Sequence, residues 1–120
     1  MLNLDTHVLI HALAGSLRPT ERSLLAEHSW GVAAIVLWEL VKLAQLGRIA
    51  VDLDDPEVDS ALASLHVWPL DLAVARASSR LDFRGDPADE LIAATSVVHA
   101  VPLVTRDRKI RKSRIVPLAN

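Results

Sequence analysis

Short apolar segments alternate with longer helical patterns along almost the whole chain, and this alternation limits the folds that the sequence can adopt. Strands of about four residues separated by helices of about ten or more need crossover connections, which place neighbouring strands parallel. The pattern therefore predicts an α/β fold, a three-layer α/β/α domain with a short-stranded, mostly parallel sheet. The predicted strands are Leu2–Leu4, Gly31–Ala34, Val67–Leu70, Pro102–Thr105 and Ile115–Leu118.

Capping residues and helix breakers mark the helices. Asp5 is placed to cap a helix over Thr6–Ala14, and Gly47 is a typical left-handed stop for a helix over Ile35–Leu46. Asp86 is the predicted cap of a helix that runs to about Ala100. The remaining predicted helices start at Pro19, near Asp54 to Pro56 and after Asp71, and end near His28, Leu65 and Leu81.

Length and composition narrow the class of protein. A chain of 120 residues is near the commonest domain size and can bury a sizeable core, so we expect residues 1–120 to form a single domain. Apolar residues make up 51% of the chain and the mean hydropathy is +0.28, which indicates a second buried surface such as a subunit interface. No apolar run approaches the ~20 residues that cross a bilayer, so we expect no membrane association.

The chain contains no cysteine, and this excludes disulfides, thiolate zinc sites and thiol redox chemistry. No signal-peptide pattern precedes the first predicted strand, so a cytoplasmic location is the default expectation. A Gly-rich phosphate loop is also lacking, which argues against dinucleotide and P-loop functions.

Four carboxylates lie where apolar segments meet turns, and they are Asp5, Glu39, Asp89 and Asp107. If the strands Leu2–Leu4 and Pro102–Thr105 are parallel, Asp5 and Asp107 emerge at one sheet edge, where open α/β sheets bind ligands. Two converging carboxylates ~4 Å apart repel by ~4 kcal/mol at an effective dielectric of ~20 unless a cation lies between them. Oxygen ligands without His or Cys suit Mg²⁺ or Mn²⁺, and such ions commonly act on phosphate esters.

Each of these acids also has a structural explanation. Asp5 can be a simple N-cap, and Asp89 can favour its helix through the dipole. Glu39 lies on a largely apolar helix face, where a free carboxylate is costly and Lys42 at i+3 is a candidate partner. Asp107 can cap the short basic stretch that follows it. Each explanation accounts for one acid, but none accounts for all of them together.

Weaker patterns remain open. His7 and His11 have a spacing that can hold zinc, but no third soft ligand accompanies them and exposed polar residues are the simpler interpretation. Six of the nine residues from Arg106 to Arg114 are basic, which fits contacts to RNA phosphates and fits a solvated surface equally well. The three tryptophans, which are Trp30, Trp38 and Trp68, are expected in the core or in an interface.

Four blocks of sequence together resemble the PIN-domain family, and within it the VapC-type toxin ribonucleases of VapBC toxin-antitoxin pairs. The blocks are Leu2–Ile10, Leu37–Leu40 continuing to Leu46–Ile49, Asp86–Ala94 and Leu103–Asp107, and they span nearly the whole chain. The resemblance implies that an acidic metal site for Mg²⁺ or Mn²⁺ is formed by Asp5, Glu39, Asp89 and Asp107. It also implies that Thr105 helps to orient ligands or water there.

The same resemblance implies a metal-dependent endoribonuclease that leaves a 5′-phosphate and a 3′-hydroxyl on RNA. Its implied protein partners are a second copy of the chain and a small antitoxin that occludes the site. One departure is that many relatives carry Ser or Thr where the helix holding Glu39 starts, whereas residues 31–37 contain neither. In addition, Asp86 competes with Asp89 for one role, and the D-x-x-I spacing to Ile92 favours Asp89.

A non-catalytic α/β module is the alternative, either a receiver-like acidic-pocket switch or an inactive scaffold. In such a module the acids would act only as caps and ion-pair partners. A receiver needs two adjacent acids after its first strand and a Lys after its last strand. Here Asp5 is followed by Thr6, and Asp107 occupies the later position. The sequence therefore favours the nuclease over the switch.

Overall fold

The computed structural model describes residues 1–120, and its central feature is a four-stranded parallel sheet. The elements in chain order are β1 (Leu2–Leu4), α1 (Thr6–Ala14), α2 (Pro19–Ala26), β2 (Trp30–Ala33), α3 (Ala34–Gln45), α4 (Pro56–Ala63), β3 (His66–Trp68), α5 (Leu72–Ser78), α6 (Pro87–His99), β4 (Leu103–Val104) and α7 (Arg108–Arg111). The strand order is β3-β2-β1-β4. The predicted α/β fold with a parallel sheet is confirmed.

Strand β1 lies in the middle of the sheet, and this position brings two predicted site segments together. Asn3 of β1 pairs with Gly31 of β2 and with Leu103 of β4, both in parallel register. The backbone N–H of Asp5 donates to the Val104 carbonyl at 3.1 Å. Because β1 and β4 run in the same direction, the chain leaves both strands at one edge of the sheet.

A polar side chain inside the core joins β1 to α6. Asn3 is fully buried, and its Nδ2 donates to the Ile92 carbonyl at 3.2 Å and to Ser96 Oγ at 2.9 Å. Its Oδ1 has no hydrogen-bond partner. Around it, buried apolar side chains from β1, β4, α1, α3 and α6 form one contiguous core. The two Asn3 bonds hold the middle of α6 against β1, and Asp89 lies one turn before Ile92 on that helix.

The predicted strand Ile115–Leu118 is wrong, because the structure has only an isolated parallel bridge between Leu103 and Leu118 there. The Ser113 hydroxyl accepts the backbone N–H groups of Ile115 and Val116, both at 3.1 Å. This local bonding competes with strand pairing, and Pro117 has no N–H to contribute. The predicted bounds of β1 and α1 match the structure, and the ends of the other predicted elements lie within three residues of their predicted positions. The left-handed stop at Gly47 is confirmed, with φ +68°.

The tryptophans occupy different environments. Trp68 is buried over Gly31, where an added Cβ would lie 2.5 Å from the indole ring. Trp30 is half-buried and donates from Nε1 to the Leu25 carbonyl at 2.8 Å. Trp38 is 59% exposed on α3, where Val41 one turn later is also exposed. Apolar surface therefore remains on α3, in agreement with the high hydropathy. None of the helices has the length and apolar character to span a membrane.

Candidate active site

Asp5 follows β1 at the carboxyl edge of the sheet and serves two purposes with its two oxygens. Its Oδ1 accepts the backbone N–H of Thr6 at 2.8 Å and so caps α1. Its Oδ2 accepts the hydroxyl of Thr105 at 2.6 Å. Asp5 is only 5% exposed, and burial raises its pKa although both hydrogen bonds oppose that rise. Asp5 therefore caps α1, but the cap uses only one of its two carboxylate oxygens.

Thr105 connects Asp5 to Asp107. Its side chain is buried, and the oxygen that donates to Asp5 also accepts the backbone N–H of Asp107 at 3.0 Å. Asp107 Oδ1 caps α7 by accepting the N–H groups of Lys109 at 2.9 Å and Ile110 at 3.1 Å. The second oxygen of Asp107 is left free of such bonds. Thr105 thus orients one carboxylate and holds the turn that carries another.

Glu39 is drawn towards Asp5 from the neighbouring helix α3. Its Oε1 accepts the hydroxyl of Thr6, the residue directly after Asp5, at 2.5 Å. The alternative pairing with Lys42 is wrong, because Lys42 Nζ donates instead to Gln45 Oε1 at 3.1 Å. Consistent with the missing Ser or Thr, α3 has no side-chain cap.

Asp89 lies in the first turn of α6, where burial and neighbouring charges both oppose its ionisation. Its pKa is raised to about 6, first because it is half-buried and then because other negative charges lie around it. These charges belong to Asp5, Asp107, Glu39 and Asp86. Asp86 occupies the predicted cap position but makes no capping bond with its side chain. The structure therefore brings the four predicted acids into one electrostatic cluster, with Asp86 beside it.

The carboxylates are neighbours, but no group of three or more His, Cys, Asp or Glu side chains has an arrangement that could already hold a metal ion. Asp5 uses both oxygens in bonds to the chain, whereas Glu39 and Asp107 each keep one oxygen free and Asp89 keeps both. Oxygen donors of this kind suit hard divalent cations, and a cation would relieve the repulsion that acts on Asp89. The chemistry of these residues therefore suits a hard divalent cation.

A cleft of about 530 Å³ opens beside Asp89 and Asp107. Its walls carry both signs of charge, since Asp86, Asp89 and Asp107 line it together with Arg84, Arg108 and Lys109. Cations beside an acidic cluster are suited to a phosphodiester, because they can attract its phosphate while the acids hold a metal ion. We name this space the acidic cleft.

The histidine pair does not form a site of its own. His11 Nδ1 lies 2.8 Å from Ser16 Oγ, so this ring nitrogen hydrogen-bonds to a residue just after the C-terminal end of α1. His7 is exposed, and its charge lowers the pKa of nearby Asp5. The structure therefore gives the zinc interpretation no support.

An ion pair that the sequence patterns do not predict lies next to the site. Arg106 donates from Nε and Nη2 to the two oxygens of Glu21, at 2.8 and 2.6 Å. Glu21 is only 4% exposed, and these bonds lower its pKa to about 2. Arg106 is therefore not available to the predicted phosphate-binding run. An acid at position 21 is expected from helix capping, because Glu21 in the first turn of α2 accepts the Arg18 N–H at 2.8 Å. Nothing in the local sequence indicates that Arg106 is the ion-pair partner of Glu21.

Comparisons with known proteins agree with this architecture. A family model described as the PIN domain matches residues 3–115. Ribonuclease VapC22 of Mycobacterium tuberculosis is 36% identical, over 92% of this chain and 90% of that protein.

Three solved structures have the same fold. FitAcB from Neisseria gonorrhoeae has a TM-score of 0.73 at 20% identity, covering 100% of this chain and 97% of that one. VapBC2 from Rickettsia felis, bound to a DNA fragment from its promoter, has a TM-score of 0.71 at 19% identity, with 100% and 98% covered. A toxin-antitoxin complex from Klebsiella pneumoniae has a TM-score of 0.68 at 19% identity, with 93% and 91% covered.

Proposed function

The chain belongs to the PIN domain family, and we propose that it is a Mg²⁺- or Mn²⁺-dependent endoribonuclease, the toxin of a toxin-antitoxin pair, with residues 1–120 as its single nuclease domain. The observation that carries this proposal is the convergence of four carboxylates at the carboxyl edge of the parallel sheet, where the other three oppose the ionisation of Asp89. The ribonuclease relative supports the choice of RNA as the substrate class.

The roles of the residues follow from their contacts. Asp5, Glu39, Asp89 and Asp107 would hold the cation, and Thr105 keeps Asp5 and the Asp107 turn in place. When bound, a divalent cation supplies charge neutralisation at the phosphate and activation of a water. Arg108 and Lys109 in the acidic cleft would attract the RNA backbone. Cleavage would leave a 5′-phosphate and a 3′-hydroxyl, as the family resemblance implies.

Two protein partners belong to the same proposal, a second copy of the chain and a small antitoxin. Structures of the same fold include a toxin-antitoxin complex from Klebsiella pneumoniae. The exposed Trp38 and Val41 on α3 supply apolar surface of the kind that a stable interface buries. An antitoxin that covered the acidic cleft would keep RNA away from the carboxylates.

Cleavage of single-stranded RNA by the purified chain in Mn²⁺, with a chelator as the blank, tests this function. We expect Asp5→Asn to lower the cleavage rate at least ~100-fold, because even changes outside the ligand shell of a metal commonly cost 10- to 100-fold. The matched control is Asp71→Asn, since Asp71 also caps a helix by accepting the Val74 N–H at 3.0 Å but lies outside the site. Equal cleavage by the two variants would make Asp5 a helix cap only. Absence of Mn²⁺-dependent cleavage by the unaltered chain would instead favour the non-catalytic module.

A further inference from the structure

A second cleft, of about 570 Å³, adjoins the acidic cleft at Arg108, which lines both. Its walls are strongly basic, and Leu24 is the one hydrophobic residue that lines it. The charged residues that line it are Arg18, Glu21, Arg106, Arg108 and Arg111. We name this space the arginine cleft.

The single acid of the arginine cleft is already neutralised. Glu21 is held by Arg106 through two bonds, so this pair contributes little net charge to the cleft. Arg18, Arg108 and Arg111 take part in no ion pair and are exposed. The Arg111 guanidinium donates only to the Thr105 carbonyl, at a long 3.4 Å. Three arginines therefore keep their charge available to an anion that enters the cleft.

The other groups in the cleft also favour an anion. Arg18 and Thr20 bring the N-terminal end of α2 to it, and this end of a helix carries a partial positive charge. Guanidinium groups bind phosphate oxygens through two parallel hydrogen bonds, which suits them to phosphate more than the point charge of a lysine. Arg18, Arg108 and Arg111 repel one another, and none of them stabilises the fold through an ion pair. Their presence in one cleft is therefore not explained by the stability of the fold.

We propose that the arginine cleft is a subsite that binds a backbone phosphate of the RNA next to the phosphodiester in the acidic cleft. This inference rests on the proposed ribonuclease function. One strand that passed over Arg108 would place neighbouring phosphates in the two clefts. The subsite includes Arg18, which lies far from the basic run 106–114 in sequence, and it excludes Arg106, which is inside that run.

The test compares two double variants that remove the same charge. Arg18→Gln with Arg111→Gln alters the arginine cleft, whereas Arg22→Gln with Arg48→Gln alters exposed arginines outside both clefts. The affinity for a single-stranded RNA oligonucleotide is measured by fluorescence anisotropy in chelator at several salt concentrations. We expect the slope of log K against log salt to shrink by about 1.4 for the first pair, which is ~0.7 per lost contact, and to change little for the second.

Cleavage kinetics in Mn²⁺ give a second readout. With the cleft variants we expect KM to rise about tenfold, because exposed ion pairs are each worth roughly a factor of three, while kcat stays unchanged. Arg18→Lys with Arg111→Lys keeps the charge but loses the paired hydrogen bonds, and it should restore the salt slope and part of the affinity.

The proposed subsite is overturned if the salt slope of the Arg18→Gln, Arg111→Gln variant is unchanged. It is also overturned if the Arg22→Gln, Arg48→Gln control loses as much of the slope. The binding experiment decides this whether or not RNA is cut, because it is made without metal. Absence of Mn²⁺-dependent cleavage by the unaltered chain would instead count against the proposed function alone. The two failures are therefore distinguishable.

Discussion

Two acids of this chain, Glu21 and Asp89, show how neighbouring charges decide the role of a carboxylate. Glu21 is the more buried of the two, but Arg106 binds both of its oxygens and lowers its pKa to about 2. The pKa of Asp89 is raised to about 6, first by its partial burial and then by the other acids around it, and no cation opposes this rise. Burial alone therefore does not mark the functional acid. The feature that distinguishes the functional acid is a carboxylate for which the fold provides no positively charged partner.

The two shifts have opposite effects on stability. The Glu21 carboxylate contributes stability that is fully present above its ordinary pKa of 4.5 and is lost as the pH falls through about 2. Asp89 favours folding in its protonated form, so the free energy of unfolding decreases as the pH rises from its ordinary pKa of 3.8 through about 6. At neutral pH the first acid stabilises the fold and the second destabilises it unless a cation is bound.

The largest effect on stability is expected from Glu21→Gln. The substitution leaves the Arg106 charge without its partner in a largely buried place, which should lower the free energy of unfolding by roughly 2 to 3 kcal/mol. Urea denaturation at pH 7 measures this change. Glu57→Gln is the control, because Glu57 is an exposed first-turn acid of α4 and should cost under ~0.5 kcal/mol. Equal losses for the two variants would remove the distinction between Glu21 and an ordinary surface acid.

Thr105→Val tests the connection between the Glu21 ion pair and the acidic cluster. Thr105 lies directly before Arg106, and its hydroxyl hydrogen-bonds to Asp5 and to the backbone N–H of Asp107. We predict a ~10- to 100-fold lower cleavage rate, because the carboxylates lose the hydroxyl that orients them. Thr105→Ser keeps the hydroxyl and should retain most of the activity. If the Val and Ser variants cleave RNA equally well, Thr105 contributes only packing.

Asp89→Asn should act on stability in the direction opposite to Glu21→Gln. In chelator at pH 7 we expect the free energy of unfolding to rise by about 1 kcal/mol, which is less than the full pKa shift implies because Asp89 is half exposed to solvent. The same variant should lose Mn²⁺-dependent cleavage. A loss of stability in chelator would show that Asp89 is balanced by a contact inside the fold, as Glu21 is.

The smallest effect on stability is expected from Glu39→Gln. The amide oxygen of Gln can still accept the Thr6 hydroxyl, so the stability in chelator should change by less than ~0.5 kcal/mol or increase slightly. Cleavage should nevertheless be lost. Thermal melting in chelator and the RNA cleavage assay measure the two outcomes. Full activity of this variant would remove Glu39 from the proposed ligand set.

The sequence predicted those parts of the fold and site that depend on local signals. Asp5 was recognisable because one residue both ends a strand and caps a helix, and Gly47 because a helix stops there. The bonds from Arg106 to Glu21 and from Thr6 to Glu39 join residues 85 and 33 positions apart. No periodicity or capping rule encodes such pairs, since they depend on how the elements pack.

The same limit explains other differences. The segment Ile115–Leu118 has the apolar character of a strand, but Ser113 takes up its N–H groups and leaves a single bridge. Asn3 gave no signal because a polar residue within a strand pattern does not reveal its partner, which is Ser96 on α6. The basic run was visible in the sequence, but its division between two clefts and the Glu21 ion pair was not.

The most direct test of the central claim is the pKa of the Asp89 carboxyl, measured by ¹³C NMR titration with and without Mg²⁺. We predict a value of about 6 in chelator and a value below the ordinary 3.8 in saturating Mg²⁺, while the Glu21 pKa stays near 2 in both conditions. The cation should supply to Asp89 the positive charge that Arg106 already supplies to Glu21. An Asp89 pKa that Mg²⁺ leaves unchanged would contradict the assignment of this acidic cluster as a metal site.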